Sequence, residues 1–434
     1  MMMRFSVSGF TMVRLQKIGF WLILLAGLWI RLQFALQVDT PLKSDMSSFN
    51  AKALTLMETG AFNTSKDALS FGASTYRPPF YPLFLAGIYR LFGPQVRNAY
   101  IAQSLLGLLL LVGVYQLGKR VSTPAIQRPV GLTAMAACVL YPPLIAYCGI
   151  LLSEILFMTL LVWAVWLTLN PKQSAKGWWL TGFLWGIANL TRPISLPLLL
   201  GLLSLMWLYR QMGWKSLLNV LAAFFLTLSP WVIRNYLEFH EWVLVDNSSG
   251  VNLVAGNNDK GKGDYTRGYD QSWMYQDALR KSRNIVELDR HLIHNNRLWI
   301  QQHPWQYARL FFKRVGYYVV SEHEFYFQDY HWNRIPWHNT ALNLAFRVTL
   351  QTVALLALMV CVIVRYPHGV YLGFLGFFFY VFPAIALYYT RYRHPGIPFV
   401  FILAAVGIFG SLNAWQTKAR QAKANTQPVL SERG

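Results

Sequence analysis

Residues 150–169 read Ile-Leu-Leu-Ser-Glu-Ile-Leu-Phe-Met-Thr-Leu-Leu-Val-Trp-Ala-Val-Trp-Leu-Thr-Leu. Glu154 is the one charge in the run, which meets the ~20 residues needed to cross ~30 Å of hydrocarbon. Comparable runs stand at 18–30, 101–114, 195–208, 352–364 and 370–388. The 434-residue chain is 55% hydrophobic and 13% charged, whereas a soluble domain carries about 25% charged residues. The pattern predicts an all-α polytopic membrane protein, because helices satisfy their own backbone in lipid.

The net charge of +21 does not call for nucleic acid. Lys and Arg collect in cytoplasmic loops, and anionic lipid or an anionic substrate accounts for the rest. The 17 Trp suit the membrane interfaces. Cys138, Cys148 and Cys361 have no metal-ligand spacing and build no disulfide framework.

Basic residues orient the spans. Arg4, Arg14 and Lys17 place residues 1–17 in the cytoplasm. A basic stretch before an apolar one has the outline of a signal peptide. No small-residue cleavage site follows, so a retained first span at 18–38 is expected. Further spans are expected at 97–117, 129–144, 151–169, 177–191, 194–209, 216–233, 340–364, 369–388 and 395–413. Lys119-Arg120, Lys172 and Lys176, Arg210 and Lys215, and Arg365 mark inner turns. The reading gives about ten transmembrane helices in two blocks, 18–233 and 339–413, with a cytoplasmic tail at 414–434. Two polar segments, 39–77 and 234–338, fall outside, and 293–320 reads as amphipathic helix. The apolar stretch 78–92 is too short to cross comfortably and is expected to lie at the outer interface.

Charges near hydrocarbon need a reason, since each costs at least ~2.5 kcal/mol. Asp45 follows span 1 and reads either as a helix N-cap or as a working carboxylate. Arg77 precedes Pro78-Pro79, which fix the backbone. It reads as a snorkelling side chain or as a guanidinium held toward a phosphate. Glu154, Arg192, Arg234, Arg391, Arg393 and His394 map to the same outer side, against the usual charge bias. A carboxylate base among arginines suits transfer from a phosphate-bearing donor.

Several motifs resemble one family. They are Ser44-Asp45, Gly60-Ala61-Phe62, Arg77-Pro78-Pro79-Phe80-Tyr81-Pro82, Leu151-Leu152-Ser153-Glu154 and Leu190-Thr191-Arg192-Pro193. Further on come Pro230-Trp231-Val232-Ile233-Arg234-Asn235, Ser249-Gly250-Val251-Asn252-Leu253-Val254-Ala255-Gly256-Asn257-Asn258 and Tyr392-Arg393-His394-Pro395. Their order resembles bacterial membrane glycosyltransferases of the dolichyl-phosphate-mannose protein mannosyltransferase type. These have the GT-C fold, and the aminoarabinose lipid A transferases and RgtA/B/C/D-like transferases are their relatives.

The resemblance implies a sugar donor on a polyprenyl phosphate and an acceptor hydroxyl on a lipid, glycan or protein. It also implies inversion at the anomeric centre and a site on the outer face of the inner (plasma) membrane. Asp45 is then the expected base, with Arg77, Arg391 and Arg393 on the donor phosphate. Tyr81, Glu154, Arg192, Arg234 and His394 are expected to line or support the cavity, and Asn252, Gly256, Asn257 and Asn258 to form a lid loop. Family members often carry an acidic pair in the first loop, but here Asp45 has no acidic neighbour. A divalent metal is therefore less favoured, though Asp45 with Glu154, Asp39 or Glu58 offers carboxylates. Three alternatives stay open: a transporter or flippase of an anionic lipid-linked substrate, a polymerase or ligase using a polyprenyl-diphosphate oligosaccharide, and a receptor-like scaffold. The first should show repeated halves, and none are evident.

Overall fold

The computed structural model describes residues 9–39, 41–62, 75–170, 172–262, 265, 268–321 and 340–425. Parts of both expected outer segments (63–74 and 322–338) and the end of the tail lie outside the described residues. The chain forms α1 (Gly9–Gln37), α2 (Asp45–Thr59), α3 (Phe80–Phe92), α4 (Val96–Arg120), α5 (Gln127–Leu140), α6 (Pro142–Ala146) and α7 (Glu154–Thr168). There follow α8 (Ala175–Thr191), α9 (Ser195–Leu208), α10 (Trp214–Phe239), α11 (Ser249–Gly256), α12 (Trp273–Lys281), α13 (Ile285–Gln302) and α14 (Pro304–Val320). The last three are α15 (Thr340–Ile363), α16 (Pro367–Val381) and α17 (Ile397–Asn425).

Each expected span falls mainly on helix, with 129–144 divided between α5 and α6 at Tyr141 and 369–388 running past the end of α16. Among the described residues, six helical stretches are long and apolar enough to cross a membrane: Val13–Gln37, Val96–Arg120, Trp214–Phe239, Leu344–Ile363, Pro367–Ile385 and Thr390–Ala419. Helices α5, α7, α8 and α9 have 14, 15, 17 and 14 residues. At 1.5 Å per residue they reach only about 21–26 Å, so apolar character alone supports those four spans. Helix α7 is buried on nearly every side, which accounts for its uniform apolarity. It packs on α4, α8 and the turn before α17.

Small residues let helices approach closely where lipid offers no hydrophobic drive to associate. A Cβ at Gly182 would stand 2.2 Å from the Val220 carbonyl oxygen, so α8 and α10 meet there without a side chain between them. One end of the bundle carries the basic turns: Arg120 stacks on Trp166, and the Tyr366 hydroxyl donates to the Val121 carbonyl. The other end carries α2, α3 and the 390–396 turn.

Helices α11–α14 form a smaller unit with its own core, including Val254, Met274, Leu288, Leu292 and Trp299, and Tyr76 packs against it. The expected amphipathic stretch 293–320 is two helices. Pro304 opens the second because proline is tolerated in a first helical turn and not in a helix interior.

Candidate active site

Helix α2 begins at Asp45, and Ser44 before it holds φ 50°. That is the left-handed region, costly for a residue with a Cβ. The turn leaves Asp45 inside the helix rather than capping it, and turns its carboxylate toward two arginines. Arg77 Nη2 donates to Asp45 Oδ1 at 2.5 Å, and Arg391 Nη2 donates to Oδ2 at 2.8 Å. Pro78 and Pro79 delay α3 to Phe80, so Arg77 stands in the bend before that helix with its guanidinium over the rings of Tyr76 and Phe49.

The network continues through Glu154, the first residue of α7 and fully buried. Its Oε1 lies 3.9 Å from Arg391 Nε and accepts from Arg192 Nη2 at 2.7 Å. Arg192 stands at the extended end of α8 and also donates from Nε to Ser153 Oγ. The Tyr392 ring lies beneath both Arg391 and Arg192. Five charged side chains from the 44–45, 77, 153–154, 192 and 391 segments thus form one chain of contacts, three cationic and two anionic.

The excess positive charge favours an anion. Burial alone would lift the Asp45 carboxyl, but Arg77 and then Arg391 outweigh it and hold the group well below the usual carboxylate range. Arg77 is lowered by burial, yet Asp45 more than compensates and keeps it above its ordinary value. A divalent metal does not fit this donor set. Both Asp45 oxygens already accept from guanidiniums, Arg192 holds Glu154, and three arginines would repel a cation at close range. Among the described residues, no three His, Cys, Asp or Glu side chains converge.

The other expected site residues stand elsewhere in the architecture. Arg393 is fully buried, and its Nη1 donates to the Tyr318 and Ser321 carbonyls at the end of α14. That is a helix C-terminal cap, favoured by the helix dipole. Tyr81 donates to Gln103 Oε1 at 2.6 Å, and Gln103 Nε2 donates to carbonyls of the 147–150 turn. His394 Nδ1 pairs with the Tyr147 hydroxyl at 2.6 Å. Both brace the bundle behind the arginines. Arg234 donates to Asn235 Oδ1 and packs near Trp231, Phe239 and Phe62.

The expected lid loop is instead a helix and its cap. Helix α11 packs on α13, Asn258 Nδ2 caps the Val254 and Ala255 carbonyls, and Asn257 Nδ2 donates to the Ile385 carbonyl. Asn252 is part of α11, with its N–H bonded to the Ser248 carbonyl. A Cβ at Gly256 would meet the Ala386 carbonyl oxygen at 2.0 Å. The segment is a fixed wedge, because its backbone carbonyls are satisfied inside a packed core.

Sequence reasoning missed Asp246 and the tyrosines around the arginines. Thr75 Oγ1 donates to Asn247 Oδ1 at 2.5 Å, and the Asn247 N–H donates to the Thr75 carbonyl. This clasp brings Asp246 to the Arg77 segment. Tyr265 packs against both Tyr269 and Tyr389, and Tyr389 against Tyr392. Five tyrosines, Tyr265, Tyr269, Tyr388, Tyr389 and Tyr392, close to arginines in the sequence, are the available signal.

Residues 76–233 match the family described as dolichyl-phosphate-mannose-protein mannosyltransferase. That segment holds Arg77, Glu154 and Arg192. The oligosaccharyltransferase of Archaeoglobus fulgidus in the apo form matches with a TM-score of 0.55 and 11% identity, over 95% of this chain and 53% of that one. The archaeal oligosaccharyltransferase AglB from Archaeoglobus fulgidus, in complex with an inhibitory peptide and a dolichol-phosphate, matches at 0.56 and 11%, over 96% and 52%. ArnT from Cupriavidus metallidurans bound to undecaprenyl phosphate matches at 0.39 and 15%, over 90% and 76%. No curated protein matches by sequence. This chain spans about half the length of the oligosaccharyltransferase. The class is therefore a polytopic membrane protein of the GT-C glycosyltransferase fold, and the resemblance to the mannosyltransferase family holds.

Proposed function

We propose that this protein transfers a sugar from a polyprenyl-phosphate donor to an acceptor hydroxyl, with inversion, on the outer side of the inner membrane. The observation that carries this reading is the Asp45 carboxylate held between Arg77 and Arg391, at the end of the bundle away from the basic turns. Polyprenyl phosphate leaves as an anion, and fixed guanidiniums stabilise the charge that develops on it. The dolichol-phosphate bound by the oligosaccharyltransferase AglB supports a lipid phosphate for a fold of this kind. Helix α3, apolar on both faces and next to Arg77, suits a side opening for the lipid tail.

In the resting site Asp45 is a weak base, because two cations hold it ionised. A donor phosphate draws Arg77 and Arg391 to itself, and Asp45 loses the partners that keep its affinity for a proton low. It then takes the proton from the acceptor hydroxyl as that oxygen bonds to the anomeric carbon. The bond from carbon to phosphate oxygen breaks on the opposite face. Glu154 and Arg192 hold Arg391 in place. The acceptor is a hydroxyl on a lipid, glycan or protein.

Purified protein in detergent with a panel of undecaprenyl-phosphate sugars and candidate hydroxyl acceptors tests this. Wild type is expected to release undecaprenyl phosphate, and Arg77→Ala to retain its fold and lose turnover. Unchanged turnover in Arg77→Ala would overturn the site.

A further inference from the structure

The Asp45–Arg77–Arg391 cluster accounts for the phosphate, but leaves open what recognises the sugar. Beside it stand a carboxylate and a wall of rings that the phosphate chemistry does not use. Asp246 is one residue from Asn247, whose two hydrogen bonds to Thr75 tie it to the segment that carries Arg77. Its Oδ2 accepts from Ser248 Oγ at 2.8 Å, while Oδ1 has no hydrogen bond among the described residues. The side chain is half-buried and feels the Arg77 charge. Tyr265 lies 5.8 Å from Tyr389 and 5.3 Å from Tyr269, centroid to centroid, and Tyr76 and Tyr392 flank Arg77 and Arg391.

We infer that Asp246, with Tyr76, Tyr265 and Tyr389, forms a saccharide subsite in which Asp246 Oδ1 accepts a hydrogen bond from a sugar hydroxyl. A sugar has apolar C–H faces and polar edges. Aromatic rings fit the first, and an ionised carboxylate binds the second by short charge-assisted hydrogen bonds. Few polar groups within an aromatic lining is the usual make-up of a small-molecule site. The groups facing Asp246 are Ser248 on its own segment, Asp289 on α13 and Arg77 across the clasp. Asp289 is itself engaged, accepting from the Gly250 N–H at 2.6 Å, so Asp246 is the carboxylate available to a ligand. This deepens the proposed transferase reading and rests on it. The sugar is either that of the donor or that of a glycan acceptor.

Binding measurements on the full chain in detergent separate these. The probes are undecaprenyl phosphate, the same lipid carrying a hexose or pentose, and free disaccharides, with wild type, Asp246→Asn and Tyr265→Ala. Both variants should bind undecaprenyl phosphate as wild type does. If the subsite holds the donor sugar, the extra affinity of the glycosylated lipid falls at least tenfold in both variants. If it holds a glycan acceptor, that increment persists and disaccharide binding falls tenfold. Either result supports the subsite. Sugar affinities unchanged in Asp246→Asn, with lipid phosphate still bound, would overturn it alone. Failure of folded wild type to bind any of the lipid probes would overturn the transferase reading as well.

Discussion

Asp45 and Arg391 are 346 positions apart in the chain and 2.8 Å apart in the fold. The contact joins the first helix after span 1 to the turn before the last one, and Arg77 completes it from the other side of the carboxylate. Every consequence for activity begins at that junction.

Arg391→Ala should abolish transfer and also destabilise the protein. It removes one of two partners of a buried carboxylate and leaves Glu154 with Arg192 alone. Breaking a buried pair costs about 3–5 kcal/mol, and Arg77 keeps the loss toward the lower end. Thermal unfolding in detergent alongside turnover checks this. Arg391→Lys should restore most stability and little activity, since an ammonium lacks the planar fork.

Asp45→Asn should lower turnover by ~10²–10⁴-fold, the usual contribution of a positioned base. It should also flatten the acid limb of stability. The folded carboxyl lies below its unfolded value, so its contribution is full above about pH 4 and is lost as pH falls through the folded value. Unfolding temperature measured from pH 7 down to pH 3 should drop more steeply in wild type than in Asp45→Asn.

Asp246 should behave in the opposite sense. Burial lifts its carboxyl to about 7, opposed by Ser248 and Arg77 and assisted by Asp289. The folded chain then binds a proton between about pH 4 and 7 that the unfolded chain has released, so this group's contribution to stability falls as pH rises across that window. Sugar binding through the ionised form should rise through about pH 7, and Asp246→Asn should remove that dependence.

Gly256→Ala should loosen the wedge that supports the Arg391 turn. The added Cβ meets the Ala386 carbonyl at 2.0 Å and Leu387 Cβ at 2.7 Å, and backbone is the least able to yield. Overpacking of this kind costs about 1–3 kcal/mol. A lower unfolding temperature with a raised KM for donor is expected, whereas Gly213→Ala, with open space around its Cβ, should change neither.

The bundle was readable because apolar runs and basic turns report each helix separately. Asp45, Arg77, Glu154, Arg192 and Arg391 were legible one at a time, as charges on one side that needed an explanation. Their pairing was not, since contacts such as 45 with 391 depend on how helices pack and not on any local pattern. The same holds for Arg393. Its neighbour Arg391 faces Asp45, while Arg393 meets carbonyls of α14, a helix distant in sequence. The 250–258 stretch read as a loop because its glycines suggested turns, whereas Gly250 and Gly256 serve close packing within α11. Asp246 was passed over because nothing beside it in the chain sets it apart. Its place follows from the Thr75–Asn247 clasp, across 172 positions.

The Tyr318 hydroxyl donates to the Leu387 carbonyl at 3.0 Å and accepts from the Tyr389 N–H at 3.2 Å, stitching α14 to the turn that carries Arg391. Biogenesis gives this stitch a meaning. During synthesis Asp45 and Arg77 emerge early and Arg391 near the end, and the anchor for Arg391 is a helix that must be delivered and folded beforehand. Nascent chains that end before the Arg391 turn can fold their earlier helices while Asp45 still lacks its second guanidinium. Under the proposed function, the phosphate site would thus be completed only when the last turn is in place.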